Sequence, residues 1–361
     1  ILLGIGFFAS KRITNISDYY VGGKKLGYWI AALSARSTGE SGWLLIGVTG
    51  MGALMGISAM WIVIGEIIGV FLSWQFMAKK FKRMTDDYES ITIPDFLVSH
   101  FRSSTHLIRV LAATALSLFV IIYVSAQIDI TGKTFESFLG FNYYTGIAIG
   151  FGIVVLYIFS GGFLAVAWSD FFQGSLMFVG LLVLPIIAFF SLSSDVSIID
   201  GLYAIDPALL DIWGPGGLNW VNFATVAGLI SIGIGFMGSP QVYVRFIAIK
   251  SENEIEKGKW VAIFYTLLTD TAAVMIGILG RYMLTKAGQD PEAVLGNAGE
   301  NVLAMLLNQV MPMVIIGVYI AAVLSAVMST VDSLLVVASS AVTRDFYQQI
   351  FHPDIDEKLL M

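Results

Sequence analysis

The sequence predicts an all-α polytopic membrane protein, and three observations carry that prediction. The chain is 57% hydrophobic and only 13% charged, with a mean hydropathy of +0.81, more apolar side chain than a water-facing fold buries. Apolar stretches recur along it that are long enough to cross a hydrocarbon core, which takes about 20 residues as a helix. Two of those stretches, 27–54 and 221–246, are interrupted by polar residues, glycine or proline, and they lie five spans apart. Paired interruptions of this kind point to the central site of a transporter made of two five-helix repeats.

In chain order, a partial span ends near residue 10, so the chain reads as an internal piece of a longer protein. The interrupted span 27–54 is followed by spans at 59–79, 106–137, 143–160 and 168–192, bounded where apolar periodicity stops and turn residues gather. The second interrupted span, 221–246, precedes spans at 259–285 and 312–343. One transmembrane domain results, with a first repeat at 27–192, a polar loop at 193–220 and a partial second repeat at 221–343.

Lysine and arginine set the orientation. Lys11, Arg12, Lys24 and Lys25 share one loop, and Lys79, Lys80, Lys82, Arg83 and Arg102 share another. Arg245, Lys250, Lys257 and Lys259 follow the second interrupted span, and Arg344 follows the last one. All of these fall on one side, which is therefore cytoplasmic. Asp195, Asp200, Asp206 and Asp211 fall on the other. The expected location is the plasma (inner) membrane, multi-pass.

Several function classes drop out. With no cysteine and three histidines in polar contexts, neither a thiolate nor a histidine metal centre is expected. The runs "GIAIGFG" and "SIGIGFMG" resemble phosphate-loop spacing but follow no strand and carry no lysine, so they read as close helix contacts. No residue set suggests hydrolysis, so no enzyme is expected, and no nucleic-acid partner.

Three motifs remain. In "ARSTGESGWLLIG", Arg36, Ser37, Thr38, Glu40 and Ser41 stand between two membrane-like pieces, where an unbroken helix would turn charge toward lipid. Local unwinding with the polar groups lining a cavity solves this; a polar stripe packed between helices is the alternative. In "SIGIGFMGSPQVYVRF", Gly233, Gly235, Gly238 and Pro240 weaken the backbone ladder. In "AAVLSAVMSTVDSLLVVASS", Ala326, Ser329, Thr330 and Ser333 share one helical face with Asp332 beside it. Such oxygens suit a hard cation, although hydroxyls in spans also serve simply as packing groups.

These stretches, with "DYYVGGKKLGYWIAALSARSTGESGWLLIG" and "IFSGGFLAVAWSDFFQGSLM", resemble the sodium:solute symporter family along nearly the whole chain. The resemblance implies a LeuT-type inverted-repeat fold whose last two core helices would follow Met361. It also implies a sodium-coupled secondary transporter importing a small organic solute, an amino acid such as proline, by alternating access. Sodium ions (Na+), a zwitterionic solute and the bilayer are the implied partners. By the family's pattern the main sodium site takes the carbonyls of Ser37, Glu40 and Ala326 and the hydroxyls of Ser329 and Thr330. A second sodium site, present in some members, maps to Asp170, Ser329, Asp332 and Ser333.

The substrate site departs from the proline-transporting pattern. There an aspartate stands at Gly39 and a methionine at Glu40, while Ser41, Gly42, Trp43, Tyr123 and Pro240 match, and the expected aromatics are replaced by Ile232 and Phe236. The solute's amine is expected to meet Glu40 and its carboxylate the N–H groups of a broken helix. Arg36 is expected to pair with Glu40 or Glu66, and Asp129 with Lys133 four residues on. Two other readings stay open: a transporter-like membrane sensor, and a proton-coupled variant using Glu40, Asp170 and Asp332.

Overall fold

The computed structural model describes residues 1–192 and 197–355, and apart from one isolated parallel bridge between Leu26 and Ile249 its regular elements are helical. Two short helices, α1 (Leu2–Ser10) and α2 (Ile16–Val21), precede α3 (Tyr28–Trp43), which passes through a π turn (Leu44–Val48) into α4 (Thr49–Met55). Next, α5 (Met60–Leu72) continues through a π segment (Ser73–Ala78) into α6 (Lys79–Asp87). The amphipathic α7 (Ile93–His100), α8 (Leu107–Leu139) and the long α9 (Tyr143–Phe190) follow. On the far side of the loop come α10 (Ile198–Ile205), α11 (Trp220–Gly235), α12 (Pro240–Ala248) and α13 (Glu252–Leu284). The chain ends with α14 (Pro291–Leu295), α15 (Val302–Val310) and α16 (Met313–Ser340), the last extended by a π segment (Ala341–Phe351). Asp195 of the acidic loop lies outside the described residues.

Six continuous helical stretches among the described residues are long and apolar enough to cross a bilayer. Two of them, Tyr28–Asp87 and Tyr143–Phe190, run for 60 and 48 residues, enough for two crossings each at about 1.5 Å per residue. Spans 143–160 and 168–192, which the sequence separates by a short linker, are thus joined directly in α9. The reversal is made at Gly162, with φ 49° and ψ −150°, a conformation open to glycine and strained for other residues. A side chain there would also meet the Tyr19 carbonyl, so α2 packs flush against the corner.

The span at 59–79 also runs further than its hydropathy predicts, because α6 prolongs it into the basic region. Lys79, Lys80, Lys82 and Arg83 therefore sit on a helix, not a loop. Their partners come from distant segments: Lys24 reaches Asp86 at 3.0 Å, Arg83 reaches Glu252 at 2.9 Å, and Lys82 donates to the Ile247 carbonyl at 3.2 Å. On the same end, Arg109 bonds Asp95 at 2.5 Å and Asp345 at 2.7 Å. The basic groups thus gather at one end of the molecule, the face that the sequence assigns to the cytoplasm.

Small residues set the helix spacing. A Cβ on Gly233 of α11 would stand 2.0 Å from the Gly65 carbonyl oxygen of α5, and one on Gly69 would stand 1.9 Å from that of Gly233. The backbones touch, which is how helices gain contact where no hydrophobic effect drives them together. Elsewhere α9 packs on α3 and α16, and α16 on α8, bringing the hydroxyl face of α16 onto the polar run of α3.

Candidate functional site

The polar run of α3 does not unwind as a whole. Residues 28–40 stay helical and the break is confined to Ser41, at φ 54° and ψ −174°. The expected cost of turning charge toward lipid is avoided by burial within protein: Arg36, Ser37, Thr38, Glu40 and Ser41 are all essentially inaccessible. The freed groups at the break are then satisfied locally. Trp43 N–H donates to Ser41 Oγ at 3.1 Å, Leu44 N–H donates to the Glu40 carbonyl, and Gly42 N–H donates to Gln127 Oε1 of α8 at 3.3 Å. The partner break is a single 3₁₀ turn at Phe236–Gly238, an extended Ser239, and Pro240 opening α12 without an N–H to offer.

Across the α3–α16 contact, oxygens converge. Ser329 Oγ donates to the carbonyls of Ser37 and Ala326, each at 3.1 Å. Thr330 Oγ1 donates to the carbonyls of Thr38 at 3.0 Å and Ala326 at 3.1 Å. Thr38 Oγ1 returns a bond to the Ser329 carbonyl at 2.8 Å. Of the five expected sodium-site residues, four are brought together. The carbonyl of Glu40 is engaged by Leu44 instead, and the Thr38 carbonyl, which sequence spacing missed, takes a place beside them.

Three residues of the expected second sodium site, Asp170, Asp332 and Ser333, also meet, beside a side chain the sequence counted among the cytoplasmic basic groups, while Ser329 bonds Ser37 and Ala326. Arg245 lies on α12 and is buried. Its Nη2 reaches Asp170 Oδ2 at 2.7 Å and Thr38 Oγ1 at 3.1 Å and bonds Ser333 Oγ, while Nε donates to Ser34 Oγ at 2.9 Å. Ser34 in turn donates to Asp170 Oδ2 at 2.5 Å. Asp332 accepts from Tyr157 OH at 2.6 Å and from Ser333 Oγ at 3.1 Å. The sequence signal for Arg245 was its place near the end of the second interrupted span, four residues after Gln241 on the same helical face.

A second buried ionic group surrounds Arg36. Its guanidinium pairs with Glu40 and stands 3.7 Å from Glu66 of α5, as the sequence anticipated. Asp270 of α13, which sequence reasoning passed over, stands beside Glu40 and is equally buried. The carboxylate of Glu40, expected to meet a solute amine, is paired with Arg36 in this arrangement. The guanidinium also lies 5.7 Å from the ring centre of Phe236.

The remaining substrate-site residues distribute around the Ser41 break. Tyr123 of α8 faces the Ser41 side chain, and Phe236 packs against Gly39. Trp43 lies along its own helix over Gly47, and Ile232 packs into the apolar cluster that contains Leu229 and Ala272. A cavity of about 160 Å³ opens between Ile46, Thr134, Phe138, Asn301 and Val323. At its rim Lys133 pairs with Asp129 at 3.2 Å, the expected helical pair.

Comparison with known proteins places this architecture. The model of the sodium:solute symporter family matches residues 19–361. The chain is 36% identical over 367 residues to a high-affinity proline transporter of Bacillus subtilis (strain 168), covering 100% of this chain and 74% of that one. It is 32% identical over 358 residues to the sodium/proline symporter of Escherichia coli (strain K12), covering 99% and 70%. Among solved structures, a sodium-coupled sialic acid symporter in a substrate-bound outward-open state superposes with a TM-score of 0.82 at 20% identity, over 99% of this chain and 74% of that one. A nucleobase-cation-symport-1 family transporter in a closed conformation superposes with a TM-score of 0.57 at 13% identity, over 94% and 71%. These likenesses establish the LeuT-type fold. A multi-pass helical membrane protein with two facing helix breaks, matched from end to end by that family's model, is a transporter and not an enzyme: the chain belongs to the sodium:solute symporter family.

Proposed function

We propose that the protein imports proline, or an amino acid closely like it, together with sodium by alternating access. The observation that carries the sodium half is the meeting of Ser329 and Thr330 with the carbonyls of α3. Five oxygens (the carbonyls of Ser37, Thr38 and Ala326 and the two hydroxyls) stand on facing helices in a buried place, and rotation of each hydroxyl proton turns a lone pair inward. Hard oxygen donors of this kind suit sodium. The Glu40 carbonyl, the fifth family position, joins if the turn at Ser41 opens.

The solute half rests on the relatives and on charge balance at the break. Gly39, Glu40, Ser41, Gly42, Trp43, Tyr123, Ile232, Phe236 and Pro240 form the proposed substrate site. Arg36 and Glu40 pair with each other, and the break beside them offers helix-end dipoles: carbonyls where α3 and α11 stop and the N-terminal end of α12. A zwitterion, with one charge of each sign and none in excess, fits those ends. Sodium bound between α3 and α16 would hold the two helices in the arrangement that shapes this cavity.

The test is uptake of labelled proline by the purified protein in proteoliposomes, with and without an inward sodium gradient. Sodium-driven accumulation is the expected result. Sodium-driven uptake of a different amino acid in a competition panel would keep the coupling and overturn proline; no sodium-driven uptake of any solute would overturn both.

A further inference from the structure

We propose that Glu40 and Asp270 hold a proton between them beside the solute cavity, and that solute binding requires it. The carboxyl groups of Glu40, Glu66 and Asp270 come from α3, α5 and α13, and one cation, Arg36, stands among them. All four side chains belong to residues no more than 3% exposed. Fully ionised, the group would carry two negative charges in excess where burial keeps solvent away, a state that costs several kcal/mol. Among the described residues these carboxyls do not form a group able to hold a metal ion, which leaves the proton as the counter-charge.

The contacts place the proton. Arg36 bonds Glu40 and stands 3.7 Å from Glu66, whose two oxygens have no hydrogen-bond partner among the described residues. Asp270 lies against the Glu40 side chain instead. Two carboxylates in contact do not both stay ionised, and one proton between them turns repulsion into a hydrogen bond. The hydroxyls nearby leave that position open. Thr269 Oγ1 reaches Asp270 Oδ1 at 3.1 Å, while Oδ2 has no partner among the described residues. Tyr265 OH is given to the Gly174 carbonyl at 3.0 Å, and Tyr123 faces Ser41.

Position in the fold ties the proton to the solute. Glu40 directly precedes Ser41, where α3 breaks. Without the proton, Glu40 and Asp270 would repel each other, and a displaced Glu40 would carry with it the turn that lines the cavity. This role rests on the solute-site reading above; the proton itself does not.

The deciding measurement is infrared spectroscopy of the purified full chain at neutral pH. The wild-type spectrum minus that of Asp270→Asn is expected to show the carbonyl stretch of a protonated carboxylic acid. Thr269→Val, which removes the hydroxyl beside Asp270 Oδ1, should shift that same band, and this comparison decides the matter if Asp270→Asn does not fold. A difference spectrum without the band, or a band that Thr269→Val leaves in place, overturns the inference. So does a band lost in Glu66→Gln and kept in Asp270→Asn. The role is read from uptake of labelled proline at saturating sodium. Its half-saturating concentration should rise with alkaline pH by up to about tenfold per pH unit, the limit for one required proton, and stay flat in Asp270→Asn. A wild-type profile as flat as the variant's, with the band present, keeps the proton and overturns its role. No sodium-driven uptake at any pH overturns the transport reading and the role with it, and leaves the infrared result standing.

Discussion

A side chain at Gly39 and the ring of Phe236 compete for one space: a Cβ on Gly39 would stand 2.8 Å from Phe236 Cε1. Any side chain at position 39 therefore requires the Phe236 ring to move.

From that competition, Gly39→Ala is expected to reduce uptake strongly, since overpacking of this kind costs about 1–3 kcal/mol. Combining it with Phe236→Ala should recover much of the loss, because the two positions are in contact and their effects do not add. Initial uptake rates of the two single variants and the double, normalised to folded protein, measure this. A double variant no better than Gly39→Ala alone would separate the two residues.

Ser329→Ala and Thr330→Ala each delete one of the oxygens joining α16 to α3. Each is expected to raise the half-saturating sodium concentration by roughly tenfold, the scale of one hydrogen-bonding group at about 1–1.5 kcal/mol. The solute's own apparent affinity at saturating sodium should change much less. Sodium dependence identical to wild type in both variants would remove these residues from the ion site.

Arg36→Met would leave Glu40 and Glu66 buried without their cation, both almost inaccessible. Removing one partner of such a pair costs about 3–5 kcal/mol, so a large drop in thermal unfolding temperature is expected in detergent. Glu66→Gln should be nearly harmless by the same measurement. Its two carboxylate oxygens have no hydrogen-bond partner among the described residues, and its loss removes surplus negative charge. Equal destabilisation by both substitutions would show that Arg36 is not the centre of this group.

Ser41 holds a positive φ that glycine adopts freely and serine does not. Ser41→Gly is expected to change stability little or raise it by up to about 1 kcal/mol, the relief offset by loss of the bond to Trp43 N–H. Ser41→Val, β-branched and without that acceptor, should lower the unfolding temperature clearly. Both follow from the same thermal measurement, and a valine variant as stable as wild type would mean that the turn adjusts at no cost.

Hydropathy and breaker residues alone determined the helical membrane class, the two interrupted segments, the shared basic face and the hydroxyl face of α16, because each is a local property of consecutive residues. Local periodicity also led to a loop at Lys79–Arg83, where the helix in fact runs on, and to a linker inside α9, where the break is confined to Gly162. The family resemblance supplied the correspondence of Ser37, Ala326, Ser329 and Thr330, and the tertiary structure supplied their distances. What packing alone decided is the partner of each buried charge. Arg245 and Asp170 are 75 positions apart, and the same arginine on the same short helix would be a loop cation if α12 turned away from α9. Burial removes water as the alternative partner, so a charge in this core must find another charge or hydroxyl within reach. Which one is within reach depends on how helices cross, and sequence periodicity carries no record of that.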